Sequence, residues 1–315
     1  MQKKKVLKLN NAISEIDLAK AKQNLVFNIR QSWNNLLFYQ SQTKVLEEQN
    51  NILIKFANAA TIRYNSGETN ALEKNIAVVK QMELEQHIKQ NKALFEIEKS
   101  KLAQFIQTDS SFSTLEKELA VLDYDNTKTT VSQNLNLLNA EAQINLAKAN
   151  HKLGKTALYP EFSVGYFMQT MIGLEKNGNT NTVYGSELDF TGFSVGIAVP
   201  IFAGSAISKA KAAKIHTEME EKNSALIQSQ IEASFKQEEK KRITEKALMD
   251  YYKTVALANA IEINSNADKS YRNGAISYIE YVNSIEAAFK IRLNANESVY
   301  KYNQTVINLH YLSNQ

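Results

Sequence analysis

From Ser205 until Gly274 the chain contains neither glycine nor proline. Nothing in that stretch breaks a helix, and at about 1.5 Å per residue it predicts a helix on the order of 100 Å long. The core of a single globular domain does not hold a helix of that length. It needs partners of comparable length, in a coiled coil or in the wall of a tube.

The rest of the chain reads largely the same way. No glycine or proline lies between Ile13 and Ala60, and Leu25, Ile29, Trp33, Leu36 and Leu37 recur at helical spacing. Tyr64-Asn65-Ser66-Gly67 is a helix stop and turn. A second helix is expected from about Ala71 to Gln107, ended by Thr108-Asp109-Ser110-Ser111. Ser113 to Tyr124 is a short mixed segment. Thr129 or Thr130 is the expected cap of a helix running through Leu135, Leu138, Ala142 and Leu146 to Leu158, with Pro160 closing it. A last helix covers about Ser277 to Leu312.

The period changes in the middle. Phe162, Val164, Tyr166 and Met168 alternate with Ser163, Gly165, Phe167 and Gln169. Phe193, Val195, Ile197 and Val199 alternate with Ser194, Gly196 and Ala198. Both runs, Glu161–Thr170 and Gly192–Pro200, read as strands of transmembrane length. Asn177 to Thr182, between them, reads as a polar, mobile loop.

Composition narrows the classes. Two prolines among 315 residues are far below the ~5% average and argue against a loop-rich fold. No cysteine means no disulfide framework and no thiolate metal site. At 43% hydrophobic and 22% charged, the chain is too apolar for disorder. The net charge of +4 reads as a small excess spread along the chain, giving no argument for a nucleic-acid partner. Lys3, Lys4 and Lys5 resemble the basic start of a signal peptide, but Lys8, Asn10 and Asn11 interrupt the apolar run it needs. No stretch is long and apolar enough for a transmembrane helix.

The chain repeats itself. Tyr64-x-x-Gly67 matches Tyr271-x-x-Gly274 at an offset of 207, and the same offset aligns Leu72 with Ile279, Glu73 with Glu280, Val78 with Ile285, Phe95 with Tyr302 and Leu102 with Leu309. The expected division is an incomplete first repeat at 1–110 (a helical hairpin), an equatorial connecting segment at 111–127, and a complete second repeat at 128–315. The second repeat contains a helix, a β-hairpin at 161–200, a long helix at 205–272 and a return helix at 277–312. One and a half repeats imply a further helix and β-hairpin upstream. The helices from Ala71 and Thr130, placed end to end, match the long helix after Gly204, giving a tube wall of even height.

Leu158-Tyr159-Pro160-Glu161-Phe162-Ser163 entering a strand, Val199-Pro200-Ile201-Phe202-Ala203-Gly204 leaving one, and the two tips resemble the TolC family of outer-membrane efflux proteins. The resemblance covers essentially the whole chain and is nearest the branch paired with heavy-metal exporters of the resistance-nodulation-division type, including forms fused to the pump. It implies a mostly α fold of long antiparallel coiled-coil-like hairpins with one transmembrane β-hairpin, half of a TolC-like protomer's strands. It implies a homotrimer with a shared twelve-stranded barrel in outer-membrane lipid and a helical tunnel through the periplasm. The partners implied are a periplasmic adaptor (membrane fusion) protein and an inner-membrane pump, with the channel a passive duct. The chain departs from the family in lacking the upstream strand pair, and two strands cannot close a barrel.

Within that frame, Phe193, Val195, Ile197 and Val199 are expected to face lipid, with Pro160, Pro200 and Gly204 marking the strand boundaries. A strand of a small soluble sheet is the competing reading; the attached long helix and the absence of other strands favour lipid. The tips Tyr64, Asn65, Ser66, Gly67 and Tyr271, Arg272, Asn273, Gly274 are candidate adaptor-docking points, with Tyr64 and Tyr271 as aromatic anchors, against the plainer reading of hairpin turns where glycine supplies φ > 0. Arg63, Glu68, Asp268, Lys269 and Arg272 are candidate aperture charges, against solvated helix ends worth ~0–1 kcal/mol per pair.

No cofactor, metal or enzyme chemistry is expected. Met168 and Met171 lack His or Cys neighbours, and His87, His151, His216 and His310 are isolated. Glu238-Glu239-Lys240-Lys241-Arg242 reads as a solvated helix face. The competing classes are a soluble coiled-coil scaffold with a local β-hairpin, and a pore-forming toxin. Neither needs a second tip at the same offset.

Overall fold

The computed structural model describes residues 2–108, 112, 118–125, 131–170, 173–177, 180–184 and 189–314, with backbone alone over 170–190. The helices are α1 (Gln2–Asn65), α2 (Ala71–Ile106), α3 (Leu135–Thr156), α4 (Gly204–Tyr251), α5 (Leu257–Arg272) and α6 (Tyr278–Ser313). The strands are β1 (Glu161–Thr170), β2 (Gly173–Asn177), β3 (Thr180–Tyr184) and β4 (Asp189–Ala198).

Three details differ from the sequence expectation. The stretch between the two long strands is not simply a loop. β2 and β3 pair antiparallel there, Gly173 opposite Tyr184 and Asn177 opposite Thr180. Their Lys, Asn and Thr residues carry no apolar alternation for a sequence reading to find, while backbone pairing needs none. The expected cap residues Thr129 and Thr130 lie outside the described residues, and α3 starts later, after a 3-10 turn at Val131–Gln133. Asn134 serves as its cap: its Oδ1 accepts from Asn136 N at 2.9 Å and its carbonyl from Leu138 N at 3.1 Å. Its amide also donates to the Leu312 carbonyl at 2.8 Å, a second bond that a threonine at this position has no amide to make. Finally, the helix expected to run unbroken to Arg272 contains a π turn at Tyr252–Ala256, which joins α4 to α5. No glycine or proline marks it, because a π turn comes from one extra residue rather than from a breaker.

The chain divides into two compact units. The first comprises residues 1–15 and 139–226 and carries the strands. The second comprises 16–138 and 227–315. The apolar core of the second unit gathers at the two helical turns, from Leu53, Phe56 and Ala60 of α1, Leu84 and Ile88 of α2, Ala267 of α5, and Tyr278, Tyr281, Val282 and Ile285 of α6. A smaller cluster holds Met249, Tyr302 and Val306.

The offset of 207 extends to the backbone. α2 and α6 begin at Ala71 and Tyr278 and end at Ile106 and Ser313. Their N-caps are Asn70 and Ser277, and each side chain accepts from the backbone N–H of a glutamate three residues on, Glu73 or Glu280. The four described residues with positive φ form two pairs at the same offset. Gly67 (77°) matches Gly274 (70°), and Gln107 (51°) matches Asn314 (61°).

Candidate functional site

The β1–β4 pair has two chemically distinct faces. Its register sets Phe162 opposite Ile197, Val164 opposite Val195, Tyr166 opposite Phe193 and Met168 opposite Thr191. The intervening pairs are Ser163 with Gly196, Gly165 with Ser194 and Phe167 with Gly192. Alternate pairs point to opposite faces, so one face is nearly all large apolar side chains and the other mostly serine and glycine. The apolar face is uncovered: Phe193 is 80% exposed and Val164 79%. Val195 and Ile197 are exposed beside them, as is Val199, one residue beyond the end of β4. Pro160 lies between α3 and β1, Pro200 follows β4, and Gly204 is the first residue of α4. On the opposite face a Cβ at Gly192 would stand 2.7 Å from Phe167 Cζ, so this ring lies directly over the glycine backbone. Met168 sits in the apolar ladder, and Met171 lies outside the described residues.

The two tips are built alike. Gly67 N donates to the Tyr64 carbonyl and Glu68 N to the Arg63 carbonyl; Gly274 N donates to Tyr271 and Ala275 N to Ser270 in the same pattern. Asn65, Ser66, Arg272 and Asn273 are exposed. The tyrosines differ. Tyr64 is exposed, with Lys74 Nζ 4.7 Å from its ring centre. Tyr271 turns inward, stacked on Tyr281 at 4.7 Å and edge-on to Phe56 at 6.1 Å. The hydroxyl of Tyr271 accepts from Arg63 Nη1 at 2.8 Å. Tyr278 donates to the Glu73 carbonyl at 2.9 Å, and Lys80 pairs with Glu286. These bonds tie the two hairpins to each other. The remaining aperture candidates pair locally: Arg63 lies 3.7 Å from Glu68, and Arg272 lies 3.0 Å from Asp268 one turn back. Lys269 is exposed.

No protein-family model and no curated protein sequence matches this chain. Solved structures do match. The CmeC outer membrane channel of Campylobacter jejuni superposes with a TM-score of 0.84 at 14% identity, over 98% of this chain and 66% of that one. CusC, described for transmembrane channel formation, gives 0.81 at 17% identity, over 98% and 72%. The MtrE outer membrane channel of Neisseria gonorrhoeae, in its open state, gives 0.80 at 12% identity, over 98% and 69%. The fold is that of the TolC-type outer-membrane channels. The chain spans about two thirds of the length of CmeC.

In this TolC-type fold residues 118–125, the described end of the mixed segment before α3, have a definite seat in the second unit. Asn303, 1% exposed, donates to the Ala120 carbonyl at 2.8 Å and accepts from Leu122 N at 2.9 Å. One side chain thus replaces a strand partner for the passing backbone. Beside it Arg242 makes two bonds to Glu239, at 2.9 and 2.7 Å, and lies 4.5 Å over the Tyr124 ring. The hydrogen bond from Arg242 holds the Glu239 carboxyl below its ordinary value. His310 stacks on Tyr124 at 6.0 Å, and burial, with the charge of Arg30, pushes its pKa down. The run 238–242 is therefore not wholly a solvated face. Arg242 is buried against the seated segment, and only contacts distant in sequence reveal it. Among the described residues no three His, Asp or Glu converge as metal ligands, and no helix is long and apolar enough to cross a membrane.

Proposed function

We propose that this chain is the channel component of an outer-membrane efflux system. β1 and β4 supply strands to a barrel shared by three copies, and the helices line a periplasmic tunnel through which substrate passes without energy input from the channel itself. The observation that carries this reading is the uncovered ladder from Phe162/Ile197 to Tyr166/Phe193. A contiguous apolar face of that size marks a lipid or protein contact, and its length in strand residues fits a bilayer. A soluble scaffold leaves the ladder without a purpose.

In the complete gene product, Val195→Arg is expected to block outer-membrane assembly, at about 2–4 kcal/mol near the bilayer midplane. Ala198→Ser, on the opposite face, is expected to assemble normally. Equal assembly of both variants would remove the barrel reading.

The tips at Gly67 and Gly274 are the proposed docking points for a periplasmic adaptor that connects the channel to an inner-membrane pump. Arg63, Glu68, Asp268, Lys269 and Arg272 are the proposed aperture charges. Crosslinking from Asn273→Cys in cells should capture the adaptor. Full export by a variant altered at both tips, with no crosslink from either, would leave the tips as plain turns.

A further inference from the structure

The net charge is not evenly spread. Residues 2–14, 142–160 and 199–217 contain ten lysines and no aspartate or glutamate. Taking those ten from the 37 basic residues leaves 27 against 33 acidic ones in the rest of the chain. The three segments are far apart in sequence, yet all lie in the unit that carries the strands.

Each segment abuts the β1–β4 pair. Lys3, at the start of α1, lines the same cleft as Thr156, Tyr159, Pro160, Val199 and Pro200, which places that helix end at the base of the strands; Glu161, the first residue of β1, is the one acidic residue in that cleft. Lys4, Lys5 and Lys8 follow within two turns. Lys148, Lys152 and Lys155 occupy the last turns of α3, and Lys209, Lys211 and Lys214 the first turns of α4. At 1.5 Å per residue, all ten fall within roughly 15 Å of a helix end at the strands.

All ten side chains are exposed. Lys148 pairs with Glu221 at 2.9 Å and Lys214 with Glu218 at 3.6 Å; the other eight form no ion pair among the described residues. Eight unpaired cations at one end of the unit, with Glu161 the one carboxylate in the cleft beside them, repel one another unless further anions lie opposite. Between these lysines and the apolar ladder stand Tyr159, Ile201 and Phe202, the last 94% exposed, with Glu161 at the first position of β1. Apolar strands, then aromatic residues, then lysines is the order of a chain crossing from hydrocarbon through the interface to the headgroups.

We infer that these lysines form a collar that binds the anionic phospholipid headgroups of the leaflet facing the helices. A site for an anionic solute in a lumen would gather its cations on one face. Here Lys3, Lys4 and Lys5 are consecutive and point about 100° apart around α1, so they fan out in several directions. The inference rests on the membrane reading of the β-hairpin, and the test separates the two.

The test floats the purified full chain with vesicles of phosphatidylcholine alone and of phosphatidylcholine mixed with phosphatidylglycerol. At low salt the chain is expected to favour the anionic vesicles at least about tenfold, and the preference should shrink as salt rises. A K3Q/K4Q/K5Q/K209Q/K211Q variant keeps helix propensity; it should lose the preference yet float with neutral vesicles as the parent does. Val195→Arg should show the reverse, weak on neutral vesicles with the anionic preference retained. Equal flotation of the parent on both vesicles, or an undiminished preference in the glutamine variant, overturns the collar. A parent chain that floats with anionic vesicles alone supports the collar and sinks the hairpin reading.

Discussion

Arg63 at the end of α1 donates a 2.8 Å hydrogen bond to the hydroxyl of Tyr271 at the end of α5. One hairpin is thereby bonded to the other at its last turn, and both partners sit one turn from a left-handed glycine. The contact joins the two members of the repeat with an asymmetric pair. Tyr271 faces the core while its counterpart Tyr64 lies outside under Lys74.

A double-mutant cycle of Arg63→Ala with Tyr271→Phe should therefore return a coupling of about 1 kcal/mol, at the lower end for a charged donor because the guanidinium is partly solvated. Hydrogen exchange of the amides ending α1 and α5 is the appropriate readout, since local opening at the tips is resolved there without unfolding the chain. Opening free energies that simply add in the double variant would show that the bond contributes nothing.

The tip glycines make a cleaner case. A Cβ built at Gly67 or Gly274 meets no atom within 4 Å, so any cost of a side chain comes from the backbone. Gly274→Val should destabilise the tip by roughly 1–2 kcal/mol, and Gly274→Asn by less, because asparagine tolerates the left-handed region. Equal losses for the two variants in tip exchange would contradict the conformational explanation.

Tyr278 supplies a pH signature. Burial, and then the charge of Glu73, raise its pKa from 10.0 to about 12. The folded tip prefers the neutral phenol, so this contribution is complete below pH 10 and is lost as pH rises toward 12. Burial raises Tyr281 and Tyr300 as well, so phenolate absorbance should show a late group of tyrosines that includes Tyr278, with tip exchange accelerating alongside it. Tyr278→Phe should remove one tyrosine from that late group and the bond to the Glu73 carbonyl. A titration unchanged by that substitution would refute the assignment.

The strand pair offers a test of packing. A methyl group at Gly192 would stand 2.7 Å from Phe167 Cζ and force the ring aside. Phe167 is half exposed and the end of its ring can swing away, so Gly192→Ala should cost less than the roughly 1–3 kcal/mol of an overpacked core, and adding Phe167→Ala should recover part of it. Heat stability of the assembled channel on gels is a sufficient measure. No recovery in the double variant would mean that the cost lies elsewhere.

Much of this architecture is legible in the sequence because its signals are local. The tips announce themselves through Tyr-x-x-Gly, the strands through alternation, and the long helices through missing glycine and proline. The offset of 207 was readable from a few residues. What stayed hidden depends on distant partners or on the backbone. Asn303 looks like any polar helix residue until Ala120 and Leu122 pass beside it. The charge of +4 looks diffuse along the chain, because the lysines that polarise it come from three separated segments. The direction in which Tyr271 points is set by Phe56 and Tyr281, which no spacing rule connects to it.

Gln107 and Asn314 hold the same left-handed conformation at the ends of α2 and α6, and each cap N–H reaches the equivalent pair of carbonyls: Ala103 and Gln104 in one, His310 and Tyr311 in the other. Glutamine has little intrinsic liking for that conformation, whereas asparagine has some. If the side chain had dictated the bend, the two halves would have drifted apart here as they did in the facing of Tyr64 and Tyr271. Instead the two hairpin ends share a dihedral angle while differing in the residue that bears it, so at this joint the carbonyls that the cap N–H reaches, rather than the side chain, set the course of the main chain.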